Sequence, residues 1–453
     1  MANIHFKTFG CSANHSDTEI MSALATKEHY LSEVSAADVI VLNVCTVKGD
    51  ASALREIRIA EKNNPKKGIV IAGCVTPELK ELVTRIIPRA VFLNTHTLTE
   101  INTAIRHSNA QELFDASNSL ANHSRTQETL YLNKAALPKI QKNPAVAIIQ
   151  CSSGCHSACT FCSTKLIKGQ TQSYSISSIT TEVSKAVQRG SREIWLTATD
   201  LGSYGFDVHK KELFTKNQNK KLAEYLPSLV QAVSKVRGPF MVRIGMANPL
   251  HIAKYTDELI HAMKHDKVFK FLHIPVQSGS DSVLRAMRRG HTAQTYRDIV
   301  AKFRTAIPQI TIATDIIVGF PGESTKDFEE TLELIRETKP DVCNIARFIS
   351  RPGTIGSTLA NPVHGNEAKK RSTKLSTLFK QVALEQRKKL IDWEGPVIID
   401  DKTTKGIWIA RTPSYGHVLL RGDFTLGNII HVKITDCNNK TLMGEKIQEK
   451  EIG

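Results

Sequence analysis

Two hydrophobic periods alternate along the first part of the chain. His5–Phe9, Asp38–Val44, Gly68–Ala72 and Ala90–Leu93 are short, nearly continuous apolar runs, the pattern of strands buried on both faces. Asp17–Thr26, Ala51–Lys62 and Pro77–Ile87 lie between them with apolar residues at helical spacing. Alternation of this kind predicts an open α/β sheet. Residues 108–143 are polar, rich in Ser, Asn and Gln, and read as a linker. A second alternation follows. Its strand candidates are Ala145–Gln150, Glu193–Thr197, Met241–Gly245, Phe269–Ile274, Thr311–Val318 and Val342–Phe348, with amphipathic segments such as Ile179–Gln188, Ser280–Arg289 and Lys326–Lys339 between them. Six βα repeats predict a partial parallel barrel whose working end is at the carboxyl ends of its strands. Lys369–Leu390 is a basic amphipathic helix with Leu375, Leu378, Phe379 and Val382 on one face, expected to pack on the barrel. Gly395–Ile447 changes to short alternating runs broken by turn signals, as in RTPSYGHV and LGNIIHVKI, which suits a small β-barrel. The expected organisation is an α/β domain over 1–107, a linker over 108–143, a partial barrel over 144–390 and a β-barrel tail over 391–453.

Composition adds constraints. The 453 residues exceed what one core ordinarily serves. With 41% hydrophobic and 23% charged residues, the chain has the make-up of a globular protein. No basic start leads into an apolar stretch, and no apolar run approaches about 18 residues. The expectation is a cytoplasmic protein without a membrane span. A formal charge of +16 favours a polyanionic partner, because surface Lys and Arg gain by releasing phosphate counterions. Charge of this sign is also common in proteins that never touch nucleic acid. Nine cysteines, an odd number, argue for metal or redox chemistry over a disulfide framework.

The positions of the cysteines say more than their number. Cys11, Cys45 and Cys74 each follow a predicted strand, in TFGCSAN, LNVCTV and IAGCV. The carboxyl edge of an open parallel sheet is where ligands bind, so the three can meet despite their separation. A second set lies in CSSGCHSACTFC, Cys151 to Cys162, directly after the first barrel strand. Cys155, Cys159 and Cys162 form C-x3-C-x2-C. Three thiolates on so short a loop suit three corners of a 4Fe–4S cluster, whereas ferredoxin patterns supply four. Structural zinc wants four closed ligands, and no second paired unit follows. Cys151 reads as a core thiol, with a fourth-ligand role as its alternative. Cys343 and Cys437 read as inert.

C-x3-C-x2-C with Phe161 before the last cysteine resembles the signature of radical S-adenosylmethionine (SAM) enzymes. The resemblance implies an open iron that chelates the amino and carboxylate groups of SAM, and an electron that cleaves its sulfonium to a 5′-deoxyadenosyl radical. With Cys11, Cys45 and Cys74 added, the chain is similar to the methylthiotransferases, in which such a triad holds a second 4Fe–4S cluster that carries the sulfur. HIPVQSGSDSVLRAMRR (His273 to Arg289), TDIIVGFPGES (Asp315 to Ser324), SRPGT (Ser350 to Thr354) and a TRAM-like tail extend the likeness over nearly the whole chain.

CSTKLIKG (Cys162 to Gly169), EIWLTATDLGSYG and RIGMANP resemble the archaeal and eukaryotic branch acting on N6-threonylcarbamoyladenosine in tRNA. Lys168 stands where that branch usually has Arg. The resemblance implies methylthiolation of ring carbon C2 beside the anticodon, with the tRNA anticodon stem-loop as partner. It also implies an electron donor such as a reduced ferredoxin or flavodoxin. Thr199 occupies the place of a carboxylate that holds the SAM amine in many such enzymes, and Asp200 is the substitute. Gln277 and Asp315 either face the cofactor or cap strand ends; Phe161 either lies near the adenine or packs the loop. Rival readings are methylthiolation of isopentenyladenosine or of a ribosomal-protein aspartate, and a non-catalytic iron–sulfur RNA sensor.

Overall fold

The computed structural model describes residues 1–45, 49–110, 132–208 and 225–448, so the predicted linker lies largely outside the described residues. The chain forms two compact units. One comprises residues 1–142, 153–155 and 163–174, and the other residues 143–152, 156–162 and 175–453.

The first unit is built on a parallel sheet in the order β2-β1-β3-β4-β5. Its strands are β1 (Asn3–Phe9), β2 (Tyr30–Leu31), β3 (Val39–Val44), β4 (Gly68–Gly73) and β5 (Val91–Asn94). Every residue of β3 and β4 is buried, because helices cover both faces. One face packs on Ile20, Met21, Leu24, Ile101 and Ile105, and the other on Ile57, Leu79 and Val83. Burial on both sides explains why these strands are apolar without alternation. The register aligns Phe9 with Val44, Val44 with Gly73, and Gly73 with Asn94. Four strands therefore finish side by side.

Strands β7 (Ser152–Ser153) and β8 (Gln172–Ser173) are two residues each, and in the second unit the six barrel strands are β6 (Val146–Gln150), β9 (Glu193–Thr197), β10 (Met241–Ile244), β11 (Phe271–His273), β12 (Thr311–Val318) and β13 (Val342–Arg347). They form two three-stranded parallel sheets, β6-β9-β10 and β11-β12-β13, linked by a parallel bridge between Val242 and Val268. The helix expected at Lys369–Leu390 runs from Gly365 to Lys388 and buries Leu375 and Val382. Arg371 on that helix pairs with Glu323 at 2.7 Å, both nearly inaccessible. The tail is a closed barrel, β14-β15-β16-β18-β17, of β14 (Glu394–Lys402), β15 (Trp408–Arg411), β16 (His417–Leu420), β17 (Ile429–Cys437) and β18 (Leu442–Lys446). No helix among the described residues is long and apolar enough to cross a membrane.

The tail is joined to the amino-terminal ends of the barrel strands. Lys270 N–H donates to Pro413 O at 2.8 Å, and Asn143 Nδ2 donates to Asp400 O at 2.7 Å. Tyr415 lies on Phe269 and Phe271, with ring centroids 4.9 and 4.8 Å away. Arg243 is enclosed by Trp195, Phe271 and Tyr415 at 5.2, 5.3 and 5.4 Å. Glu193, Asp400 and Arg411 are buried at the same junction. The Cys151–Cys162 segment follows the opposite, carboxyl end of β6.

Candidate metal centres

Strand register assembles the first cysteine set. Cys11, Cys45 and Cys74 follow β1, β3 and β4 directly or after one glycine, and the aligned strand ends bring their thiols together. The Cys45 thiol hydrogen-bonds with both Cys11 and Cys74. Accepting from Cys45 is the main reason the Cys11 thiol falls to about 5, with the Lys168 charge helping against burial. A separate hydrogen bond with Cys45 brings Cys74 to about 7 against burial, and the two contacts together raise Cys45 far above the ordinary thiol range. The metal-free triad thus shares protons, with Cys45 the group that keeps its own.

A buried polar frame holds these strand ends. Cys11 caps a helix that begins at Ser12, earlier than the spacing from Asp17 suggests. The difference arises because Asn14, Ser16 and Asp17 in its first turns are polar and yet buried. Asn14 Nδ2 donates to Asn43 Oδ1 and to Val44 O, each at 2.9 Å, and Asn43 Nδ2 returns a bond to Asn14 O at 2.8 Å. Gly73 sits at φ +96, and a β-carbon there would come within 2.2 Å of Asn43 Oδ1. Lys134 Nζ donates to Asp17 Oδ1 and Thr95 Oγ1, both at 2.7 Å. Lys168 is 6% exposed. Burial opposes its charge, but Cys74, Cys11, Asp17 and Cys45 raise its pKa on balance. Sequence reasoning missed Lys134, Asp17 and Asn14, because single polar residues on helices and loops read as solvent-facing, and Asn43, a lone amide inside the apolar run of β3.

The second set is local. Cys155 N–H donates to Gly169 O at 3.1 Å, and Cys162 N–H to Cys159 O at 3.3 Å. Cys155, Cys159 and Cys162 are partly exposed, whereas Cys151 is buried, with its thiol 3.6 Å from Ile149 O. Thr160 anchors the loop: its N–H and Oγ1 donate to Met287 O and Ala286 O at 3.1 and 2.9 Å. Its carbonyl accepts from Gly356 N–H at 2.7 Å. The turn after SRPGT therefore helps hold the cysteine loop. Phe161 packs partly buried beside Val283, Met287 and Phe320.

The other cofactor candidates differ in how free they are. Asp200 is 4% exposed, and its carboxylate is crowded with donors. Oδ1 accepts from Gly202 and Asn248 N–H at 3.1 and 3.0 Å. Oδ2 accepts from Ser157 at 3.3 Å and meets His251 Nδ1 at 2.9 Å. Thr199 is partly buried. Asp315 Oδ1 meets His273 Nε2 at 3.1 Å and Asn344 Nδ2 at 2.7 Å. Burial opposes its ionisation, but these donors hold its carboxyl below the ordinary range. Gln277 is 8% exposed, and its Oε1 finds no partner. It sits at φ +79, kept there by two bonds to β12, Gln277 N–H to Asp315 O and Ile317 N–H to Gln277 O, both at 2.9 Å. A strained backbone that presents an orphan acceptor is the kind of feature that concentrates at ligand sites.

Comparison with known proteins agrees with this layout. Residues 149–335 match the radical SAM superfamily, 3–94 a family described as Uncharacterized protein family UPF0004, and 394–447 the TRAM domain. An Archaeoglobus fulgidus protein named probable threonylcarbamoyladenosine tRNA methylthiotransferase is 34% identical over 451 residues, 99% of each chain. This chain belongs to that family. A Danio rerio threonylcarbamoyladenosine tRNA methylthiotransferase is 32% identical over 462 residues, covering 99% of this chain and 79% of its own. Among solved structures, the radical SAM methyltransferase TsrM from Kitasatospora setae, with cobalamin and a 4Fe–4S cluster bound, has a TM-score of 0.52 at 10% identity. That likeness covers 78% of this chain and 77% of the other, and it concerns the fold alone. Family membership makes this a radical SAM enzyme of the methylthiotransferase kind.

The donor sets fit iron–sulfur clusters. No group of three or more His, Cys, Asp or Glu among the described residues is arranged for a single metal ion. Thiolates are the donors that a four-iron cluster takes, and a negative cluster suits the buried ammonium of Lys168.

Proposed function

We propose that this enzyme methylthiolates C2 of N6-threonylcarbamoyladenosine beside the anticodon of a tRNA, in the cytoplasm, with two 4Fe–4S clusters. Cys155, Cys159 and Cys162 hold one cluster, and Cys11, Cys45 and Cys74 hold the other. The first supplies a docking iron for SAM and the electron for its cleavage, and the second supplies the sulfur. The observation that carries the reading is the register-aligned triad Cys11, Cys45 and Cys74 with Lys168 buried against it. A family enzyme that only bound RNA would have no use for it.

The chain's own groups fall into roles. Gln277 offers Oε1 to a cofactor hydroxyl or amine, and Asp315, within β12 where its carbonyl accepts from Gln277 N–H, has an ionised carboxylate. Asp200, with both oxygens engaged, fixes the loop after β9 and Ser157 rather than meeting the SAM amine directly. Thr199, beside it, keeps a hydroxyl for that contact, and Phe161 shapes the loop by packing. A reduced ferredoxin or flavodoxin delivers the electron. The excess positive charge contributes affinity for the anticodon stem-loop that falls with salt.

Mass spectrometry of tRNA nucleosides from cells with and without the gene tests the function. Loss of the 2-methylthio nucleoside with build-up of threonylcarbamoyladenosine is expected. An unchanged threonylcarbamoyladenosine pool, with loss confined to methylthiolated isopentenyladenosine or to a modified ribosomal protein, overturns the assignment.

A further inference from the structure

Arg289 is 6% exposed, and its guanidinium is met by a thiol and two oxygens instead of a carboxylate. Nη1 donates to Cys159 Sγ at 3.1 Å, and Nη2 donates to Pro275 O at 2.7 Å and to Asn248 Oδ1 at 3.2 Å. Its Nε is buried without a partner. Asn248 is itself fixed, since Nδ2 donates to Ser157 Oγ at 3.1 Å and the backbone N–H to Asp200 Oδ1 at 3.0 Å. A rigid bracket thus aims a buried cation at one thiol of the cysteine loop. Burying a cation is costly. The Asp200 and Asp315 carboxylates sense the Arg289 charge, but neither touches the guanidinium, and a neutral Cys159 adds no counter-charge in contact with it. Cys159 as a thiolate ligand of a negative cluster does.

We propose that Arg289 is the fixed counter-charge of the cluster on Cys155, Cys159 and Cys162, and that it raises the reduction potential of that cluster. The inference rests on the proposed assignment of this triad. Reduction adds one electron from the external low-potential donor and one unit of negative charge, with no bond made or broken. A cation and an N–H···S bond at a ligand sulfur stabilise the reduced form more than the oxidised one. Arg suits the place because its planar fork reaches three acceptors, which an ammonium cannot match.

The test is an EPR-monitored redox titration of the reconstituted full chain with wild-type Arg289, Arg289→Gln and Arg289→Lys. The barrel cluster is recognised by the change in its signal when SAM is added, and the other cluster serves as internal control. Arg289→Gln should move the first potential to more negative values and leave the second in place, with Arg289→Lys between Gln and wild type. Wild-type iron content with an unchanged potential in Arg289→Gln overturns the proposal. If Arg289→Gln loses about half the iron, Arg289→Lys decides. Retention of the cluster by Lys supports a requirement for charge, whereas loss in both variants leaves Arg289 a packing role and overturns the proposal. Failure of the underlying assignment has a different mark: full iron content after Cys155, Cys159 and Cys162 are all changed to Ala.

Discussion

Cys11, Cys45 and Cys74 reach one another through the register of three parallel strands, whereas Cys155, Cys159 and Cys162 are neighbours because one short loop carries them all. The first triad is assembled when the sheet folds, with thiols already hydrogen-bonded and two buried lysines in the surrounding frame. The second depends on Thr160, Gly356 and Arg289 to hold a partly exposed loop. Gathering ligands from distant strands costs loop-closure entropy that the sheet meets on folding, while a short loop has little such cost and more freedom to adjust to its ligand. Damage to the polar frame should therefore disable the first centre selectively, and damage to the loop anchors the second.

The largest effect expected is a separation of activities. Anaerobically reconstituted protein should hold about eight irons, and changing either triad to Ala should remove about half. Loss of Cys11, Cys45 and Cys74 should abolish methylthiolation and spare release of 5′-deoxyadenosine from SAM. Loss of Cys155, Cys159 and Cys162 should abolish both. Equal loss of cleavage in the two variants would remove the division of labour. Cys151→Ala, Cys343→Ala and Cys437→Ala should change neither iron content nor cleavage.

Next in size are effects on two buried ion pairs, one taken from each compact unit. Lys134→Met strands Asp17, which is 1% exposed, and should destabilise the first unit by about 3–5 kcal/mol. Arg411→Leu strands Glu193 and Asp400 at the junction of barrel and tail, with a similar cost. Denaturant titrations monitored by both cluster signals should show Lys134→Met losing the Cys11 centre first and Arg411→Leu the Cys155 centre first. The same junction bears on RNA binding. Deleting the tail from Gly395 would expose Phe269, Phe271 and Glu193, so weakened tRNA binding by such a truncation would not separate an RNA grip from an unfolded barrel. Neutralising exposed tail lysines such as Lys402 and Lys440 is the cleaner test, and a shallower salt slope is expected.

The cysteine edge was legible because an apolar run followed at once by Cys states both the strand and its end. The partial barrel was legible for a related reason: its strands are apolar and its helices amphipathic, and Glu193–Thr197 and Thr311–Val318 match to the residue. What the sequence hid were polar groups whose burial depends on distant partners. Lys134 lies next to a polar tract and looks exposed until Asp17 and Thr95 meet it. Arg289 is one of two adjacent arginines, and nothing local tells it from Arg288. The docking of the tail on the amino-terminal strand ends left no trace, because Glu193 and Arg243 read as ordinary polar residues of a strand edge.

A smaller effect compares thiol reactivity in metal-free protein. Only thiolates alkylate readily. Cys11 is lowered to about 5 by the Cys45 hydrogen bond, while burial raises Cys159 despite Arg289. At pH 6 iodoacetamide should label Cys11 faster than Cys159 by on the order of tenfold or more, as read by peptide mass spectrometry. Lys168→Met should narrow the gap by removing a charge that favours the Cys11 thiolate. Equal labelling of the two would mean that the first triad is not assembled without metal.

The smallest effect concerns the residue that follows the Arg289 turn. His291 is 8% exposed, its Nε2 has no partner, and its Nδ1 lies 3.3 Å from Arg289 O. Burial first, and the Arg289 charge second, lower its pKa to about 4. The folded protein thus keeps the imidazole neutral, while the unfolded chain takes up a proton near about 6.5. Its contribution to stability is complete above about pH 6.5 and declines as the pH falls towards the folded value, because the unfolded state then binds more protons. At pH 5 the loss should be about 2 kcal/mol relative to pH 8. His291→Gln keeps an amide that can donate to Arg289 O but cannot take the proton. The gap between wild type and variant should therefore shift in favour of the variant by that amount between pH 8 and pH 5, and other titrating groups cancel in the difference. The denaturation midpoint of the second unit at the two pH values provides the measurement. A gap that stays constant with pH would show that His291 is solvated in the folded protein, and the turn that carries Arg289 would then be looser than its hydrogen bonds to Pro275 and Asn248 imply.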